Sequence, residues 1–268
     1  MKLNVLLRTT FLVCLIFHLH SGSFGQVTTA SNSAATASNK KKAKGSINSD
    51  QYTEFAPSIS ADGTTMILES NRTGSWKLFA SKAGTDSIWS EPVYISKINS
   101  FGDSLDLIGG PSISYDGNIL YFFASFKSGF GSEDLYYSLR EGNDWGTPVN
   151  IGGQINTADY EGFPSVSADG KTLYFTKIKQ GIEDKSFNES CYSIYQSKKD
   201  VNGKWQTPEP LPYPINNLCD KAPRIMADNR TLIFSSYRPG TAGTYDLYQS
   251  QVNDDDEWSD PVPLTFVN

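Results

Sequence analysis

The chain has 268 residues and a formal net charge of −6, with 13% aromatic and 19% charged side chains. An acidic balance excludes the basic surface that nucleic-acid phosphates demand. Its two histidines, His18 and His20, both fall in the leader described next, so the rest of the chain has neither a Ser-His-Asp triad nor a histidine zinc site.

The N-terminus reads as a secretory signal over residues 1–25. Lys2 and Arg8 give a positive start, and Phe11 to Leu19 form an apolar run too short to span a bilayer. Small residues from Ser21 to Gly25 place cleavage before Gln26. Cys14 lies inside the apolar run without the small residue that a lipid-anchor signal needs just before it. Removing this segment takes away Lys2 and Arg8 and leaves 21 basic residues against 29 acidic ones. No later stretch reaches the ~18 apolar residues of a spanning helix. Residues 26–46 are mostly Ser, Thr, Ala, Asn and Lys. They lack the apolar surface that would offset chain entropy, and they read as a disordered linker.

From residue 47 the sequence repeats itself. Pro57, Pro111, Pro164 and Pro223 open PSISADG, PSISYDG, PSVSADG and PRIMADN, at spacings of 54, 53 and 59 residues. A β-rich run follows in each case: TTMILES, NILYFFAS, KTLYFT and RTLIFSS. A shorter one comes next: KLFAS, DLYYS, SIYQS and DLYQS. Trp89, Trp145, Trp205 and Trp258, each with a proline three residues on, close the blocks, and Ile-Asn or Val-Asn ends them. Asp62-Gly63, Asp116-Gly117, Asp169-Gly170 and Asp228-Asn229 are pairs that tolerate the positive φ of tight hairpins. Four strand-sized runs per period predict an all-β protein, a β-propeller of four consecutive four-stranded antiparallel blades. The blades fall at about 47–98, 99–155, 156–215 and 216–268. The recurrent Trp and Tyr side chains are expected to pack between them.

The pattern P-S-x-S-x-D-G-x-x-L-Y-F, then D-L-Y-x-S and W-x-x-P, resembles the TolB-type, WD-like propeller repeat over residues 47–268. That resemblance implies an exported protein of the bacterial envelope, in the periplasm or at the outer membrane. Such repeats often occur in fusions with an OmpA-like domain that grips peptidoglycan; neither that domain nor the N-terminal domain of TolB itself has a counterpart here. One fold hosts many functions, so the role is not carried over with it.

No cofactor or metal set emerges. The acidic run from Asp254 to Glu257 lacks the alternating ligands and glycine of a calcium loop. Ser60-Ala61-Asp62-Gly63 departs from a sialidase Asp-box, because Gly63 follows Asp62 directly. Binding residues are sought where one repeat departs from the others: Asp103 and Asp106 in the extended lead-in from Phe101 to Gly110, and Asp159 and Tyr160 before the third proline. Arg224 qualifies too, standing where the other repeats have Ser58, Ser112 and Ser165. The long insertion from Gly181 to Ser190 is a further departure. These positions favour a non-enzymatic module that binds an envelope protein or glycan through its loop face. The alternative is a carbohydrate-active hydrolase, which needs only paired carboxylates.

Three structural expectations complete the reading. Cys191 and Cys219 lie before strands of adjacent blades and are candidates for a disulfide. Intra-blade ion pairs are expected between Glu54 and Arg72, Glu161 and Lys179, and Asp220 and Arg238, with Ile108 and Phe126 in apolar contact in the second repeat. Finally, residues 39–46 offer no strand to close a ring. Four repeats then form part of a larger assembly, completed by further blades or by a partner chain.

Overall fold

The computed structural model describes residues 47–84, 88–178, 191–239 and 245–268. Their β-strands form four antiparallel sheets. The first holds β1 (Glu54–Ile59), β2 (Thr65–Ser70), β3 (Lys77–Lys82) and β4 (Val93–Tyr94), and a short helix α1 (Ser96–Asn99) follows it. The second holds β5 (Ile108–Ile113), β6 (Ile119–Ala124) and β7 (Asp134–Glu141). Its outer edge is split into β8 (Asp144–Trp145) and β9 (Val149–Asn150), both paired with β7. The third holds β10 (Glu161–Val166), β11 (Thr172–Ile178), β12 (Tyr192–Lys198) and β13 (Glu209–Pro210). The fourth holds β14 (Asp220–Ile225), β15 (Thr231–Ser236), β16 (Asp246–Gln251) and β17 (Val262–Pro263). The arrangement is a four-blade β-propeller, with β1, β5, β10 and β14 innermost.

Each repeat motif has a local physical cause. In the first hairpin Ser60 Oγ donates to Asp62 Oδ1 at 2.6 Å, Asp62 Oδ1 accepts the Thr64 N–H at 2.9 Å, and Gly63 takes φ 70°. These bonds hold the Asp62 carboxyl down at about 2. Ser114–Asp116 and Ser167–Asp169 repeat the turn; in the fourth blade Asp228 accepts directly from Arg230 and Thr231, and Asn229 takes φ 58°. The aspartates are turn formers. The terminal asparagines tie off the third strands. Asn99, Asn156, Asn216 and Asn268 each accept the N–H and donate to the carbonyl of one residue: Leu78, Leu135, Ile194 and Leu247 respectively.

The residue before each conspicuous proline adopts positive φ: Ala56 45°, Gly110 58°, Phe163 50° and Ala222 53°. Register slips there in every innermost strand. Phe55 lies opposite Glu69 but Ser58 opposite Ile67, so two residues face one. Proline suits this bulge because it has no N–H to leave unpaired.

That bulge also sets the ion-pair register. Glu54 faces Ser70, not Arg72, and Arg72 reaches back two residues to bring Nη2 within 3.0 Å of Glu54 Oε1. Arg238 does the same to Asp220 at 3.0 Å. In the third blade the base is Lys177, which sits directly opposite Glu161 with Nζ 3.0 Å from Oε1. The expected partner, Lys179, lies outside the described residues; Lys177 is already opposite the acid and needs no reach. Ile108 and Phe126 are both buried in one apolar cluster. Cys191 and Cys219 form a disulfide with Cα atoms 5.0 Å apart.

Successive blades are glued in the same way. Ser58 Oγ accepts the N–H of Ile113 at 2.9 Å, Ser112 Oγ that of Val166 at 3.4 Å, and Ser165 Oγ that of Ile225 at 3.0 Å. Separate apolar clusters fill the three interfaces, and Trp145, Trp205 and Trp258 pack into them, as core side chains should. A fourth cluster, with Ile47, Met66, Leu68 and Phe79, covers the outer face of the first blade. Among the described residues β1 packs on β5, β5 on β10 and β10 on β14, with no comparable packing between β14 and β1.

Candidate functional site

The inner strands bring one position of each second strand to the axis. Glu69, Phe123, Thr176 and Ser235 are equivalent there, and the first three are each aimed at the positive-φ residue of the following blade. Glu69 Oε2 accepts the N–H of Gly110 at 3.0 Å, and Thr176 Oγ1 accepts that of Ala222 at 2.9 Å. The Phe123 ring meets Phe163 at 5.0 Å. Ser235 Oγ, fully buried, has no partner.

Two glycines make room for what lies at this axis. A Cβ on Gly109 would stand 2.3 Å from Glu69 Oε2, and a Cβ on Gly162 would stand 2.1 Å from the Tyr160 hydroxyl. The equivalent positions in the other blades carry side chains, Phe55 and Lys221. Glu69 and Tyr160 thus occupy volume that a side chain takes elsewhere in the ring.

Arg224 completes the cluster from β14. Its Nη1 donates to the Pro164 carbonyl at 2.8 Å, and its charge acts on Glu69 without the two groups closing to an ion pair. Burial pushes the Glu69 carboxyl up to about 7, more than the Gly110 hydrogen bond and Arg224 pull it down. Desolvation lowers Arg224 to about 10 and raises the Tyr160 hydroxyl. Glu133 and Glu69 both add to the rise at Tyr160. Tyr192 stacks edge-on to Tyr160 at 5.3 Å, and Lys221 Nζ lies 3.8 Å over Tyr245, beside the disulfide.

Of the five binding positions expected from sequence, Tyr160 and Arg224 are the two on which the charge of Glu69 acts. The other three do not join them. Asp103 makes an exposed ion pair with Lys127 at 2.5 Å. Asp106 folds its own loop, accepting the Asp103 N–H at 2.7 Å, and its carbonyl receives Lys77 Nζ at 2.7 Å. Asp159 is held at the lead-in to β10, where its carbonyl leaves no room for a side chain at Gly131. The insertion from Gly181 to Ser190 lies outside the described residues. Glu69 was missed, although a sequence signal existed: it is the one charged residue at a position that is otherwise Phe, Thr and Ser. Among the described residues no cluster of metal-ligating side chains occurs, and no helix is long and apolar enough to cross a membrane.

TolB from Acinetobacter baumannii superposes with TM-score 0.53 at 16% identity, over 81% of this chain and 45% of that one. The fold is that of the TolB-type β-propeller. A putative TolB from Agrobacterium tumefaciens superposes at 0.50 with 19% identity, over 77% of this chain and 61% of that one. The TolB-type propeller described here therefore spans about half the length of the structures it matches. An α-L-arabinofuranosidase of Podospora anserina in complex with cellotriose superposes at 0.47 with 12% identity, over 76% of this chain and 66% of that one. At such identities the likeness is one of fold. No protein-family model and no curated protein matches the sequence.

Proposed function

We propose that this propeller is a non-enzymatic binding module of the bacterial envelope, exported to the periplasm or the outer-membrane surface, which engages a protein or glycan through its loop face and axis. The observation that carries this reading is the charge arrangement at the axis. Glycoside hydrolysis needs two carboxyls facing each other. The charge that acts on Glu69 is instead a guanidinium, that of Arg224. The Cys191–Cys219 disulfide fits an oxidising compartment, as does the apolar leader.

A hydrolase remains the second reading on one specific ground: a carboxyl held near 7 is suited to general-acid work. The two separate cleanly. The purified exported chain is used to capture partners from envelope extract and to probe a glycan array, while a panel of aryl glycosides and native polysaccharides is assayed for released sugar. Saturable capture without turnover supports the binding module. Sugar release that is abolished in Glu69→Gln replaces it with the hydrolase.

A further inference from the structure

The joints between successive blades are one joint repeated, and its two halves are plain between the third and fourth blades. The receiving half is Leu232, Phe234, Tyr248 and Trp258 of the fourth blade; the giving half is Tyr174, Ile194, Leu211 and Ile215 of the third. The first blade carries a receiving half of its own, Met66, Leu68, Phe79 and Trp89, at the same register. Among the described residues a single member of a giving half lies on it. That member is Ile47, in the place of Ile215: its carbonyl accepts Arg72 Nη2 as that of Ile215 accepts Arg238 Nη2. Counterparts of Tyr174, Ile194 and Leu211 are missing from this cluster.

The fourth blade presents those three. Ile233 pairs with Arg224 as Tyr174 does with Ser165, and Leu247 with Ser235 as Ile194 does with Thr176. The Leu264 N–H donates to the Leu247 carbonyl as that of Leu211 does to Ile194. Ile67, Tyr121 and Tyr174 are buried in their joints, whereas their equivalent Ile233 is half-exposed. Val267 is half-exposed where Ile215 is fully buried, so it yields that place to Ile47 on docking. Polar groups match as well. Glu69 Oε2 and Thr176 Oγ1 accept the N–H of the positive-φ residue of the following blade. Ser235 Oγ, at the same position, is buried without a partner, and the positive-φ residue of the first blade is Ala56.

A giving half and a receiving half on one molecule, unjoined among its described residues, make it complementary to itself head to tail. We infer that the fourth blade of one copy docks on the first blade of a second copy, with Ser235 Oγ accepting the N–H of Ala56. Two copies that meet at both halves close a ring. This joint lacks the serine-ladder bond, because Arg224 stands in the place of the serine. It is therefore weaker than the joints inside the chain and dissociates on dilution. It is independent of what the module binds.

Light scattering and sedimentation of the purified exported chain over a dilution series read its mass. The inference expects a species of two copies, or a head-to-tail series, that falls apart on dilution. Ile233→Glu on the giving half and Ile59→Glu on the receiving half each set a charge into the joint. Each should weaken association at least about tenfold while the chain still melts cooperatively. Each variant keeps one intact half, so mixing the two should restore a one-to-one dimer that neither forms alone, a result that two like faces meeting cannot give. Ser235→Ala should weaken association severalfold without lowering the stability of the single copy, which separates a bond made across the joint from one made within the blade. A wild-type mass of one copy throughout the series overturns the inference, whether the blades then close within one chain or take a different protein between them. Dimers that both glutamate variants retain overturn it too.

Discussion

Arg224 stands in the fourth blade where Ser165 stands in the third, and the hydrogen bond that Ser165 Oγ accepts from Ile225 at 3.0 Å has no successor beyond Arg224 among the described residues. A guanidinium cannot accept an N–H. The serine ladder that joins the blades therefore ends where the packing between β14 and β1 is missing, and Ser235 Oγ is without a partner in the same blade.

The ladder makes a graded prediction. Ser58→Ala and Ser165→Ala each remove the acceptor of a short bond and should lower unfolding free energy by about 1–2 kcal/mol. Ser112→Ala removes a bond of 3.4 Å and should cost less. Urea denaturation followed by tryptophan fluorescence measures the order; equal effects at all three positions would contradict it.

Glu69 predicts an inverted pH dependence. Its folded-state value of about 7 lies above the ordinary 4.5, so between those values the folded state holds the proton more tightly than the unfolded chain. Stability therefore falls as pH rises through this window, the opposite of a salt-bridged carboxylate. Glu69→Gln should match the wild type near pH 4 and exceed it above neutrality, by on the order of 1–3 kcal/mol. Melting curves of the two proteins across that range give the comparison, and parallel curves would remove the buried-carboxyl account.

The ion pairs predict asymmetric costs. Asp220 is fully buried, so Arg238→Ala strands a carboxylate and should cost about 3–5 kcal/mol. The second repeat already shows the apolar solution, Ile108 with Phe126. The double change Asp220→Ile with Arg238→Phe should recover most of the loss. Lys177→Met should cost less than Arg238→Ala, because Glu161 also accepts the Thr157 N–H at 2.8 Å and its hydroxyl at 2.5 Å. Chemical denaturation of the three variants decides.

The Cys191–Cys219 disulfide closes a separation of 28 residues between the third and fourth blades. Chain entropy assigns such a loop about 3.5 kcal/mol. Replacing both cysteines by serine should lower the urea midpoint, and reductant should lower that of the wild type to the same value while leaving the variant alone. A wild-type midpoint indifferent to reductant would show that the bond contributes nothing.

Local chemistry was legible in the sequence wherever it recurred. The Asp-Gly turns, the four-strand period, the tryptophans at the blade interfaces and the acid–base exchange for Ile108 and Phe126 are all local or repeated patterns. Four occurrences distinguish such patterns from chance. The positive-φ bulge before each proline was not visible, because Ala56, Phe163 and Ala222 carry no mark of it; that hidden residue sets Lys177 opposite Glu161. The axis was beyond the sequence for a further reason. Glu69, Tyr160 and Arg224 come from three blades and are far apart along the chain, so only the packing of blade on blade lets the charge of Glu69 act on the other two. The strand pattern determined the blades, through hydrogen bonding and alternation within each repeat. Burial at the axis, which strips water from the Glu69 carboxyl, was decided by the tertiary structure alone.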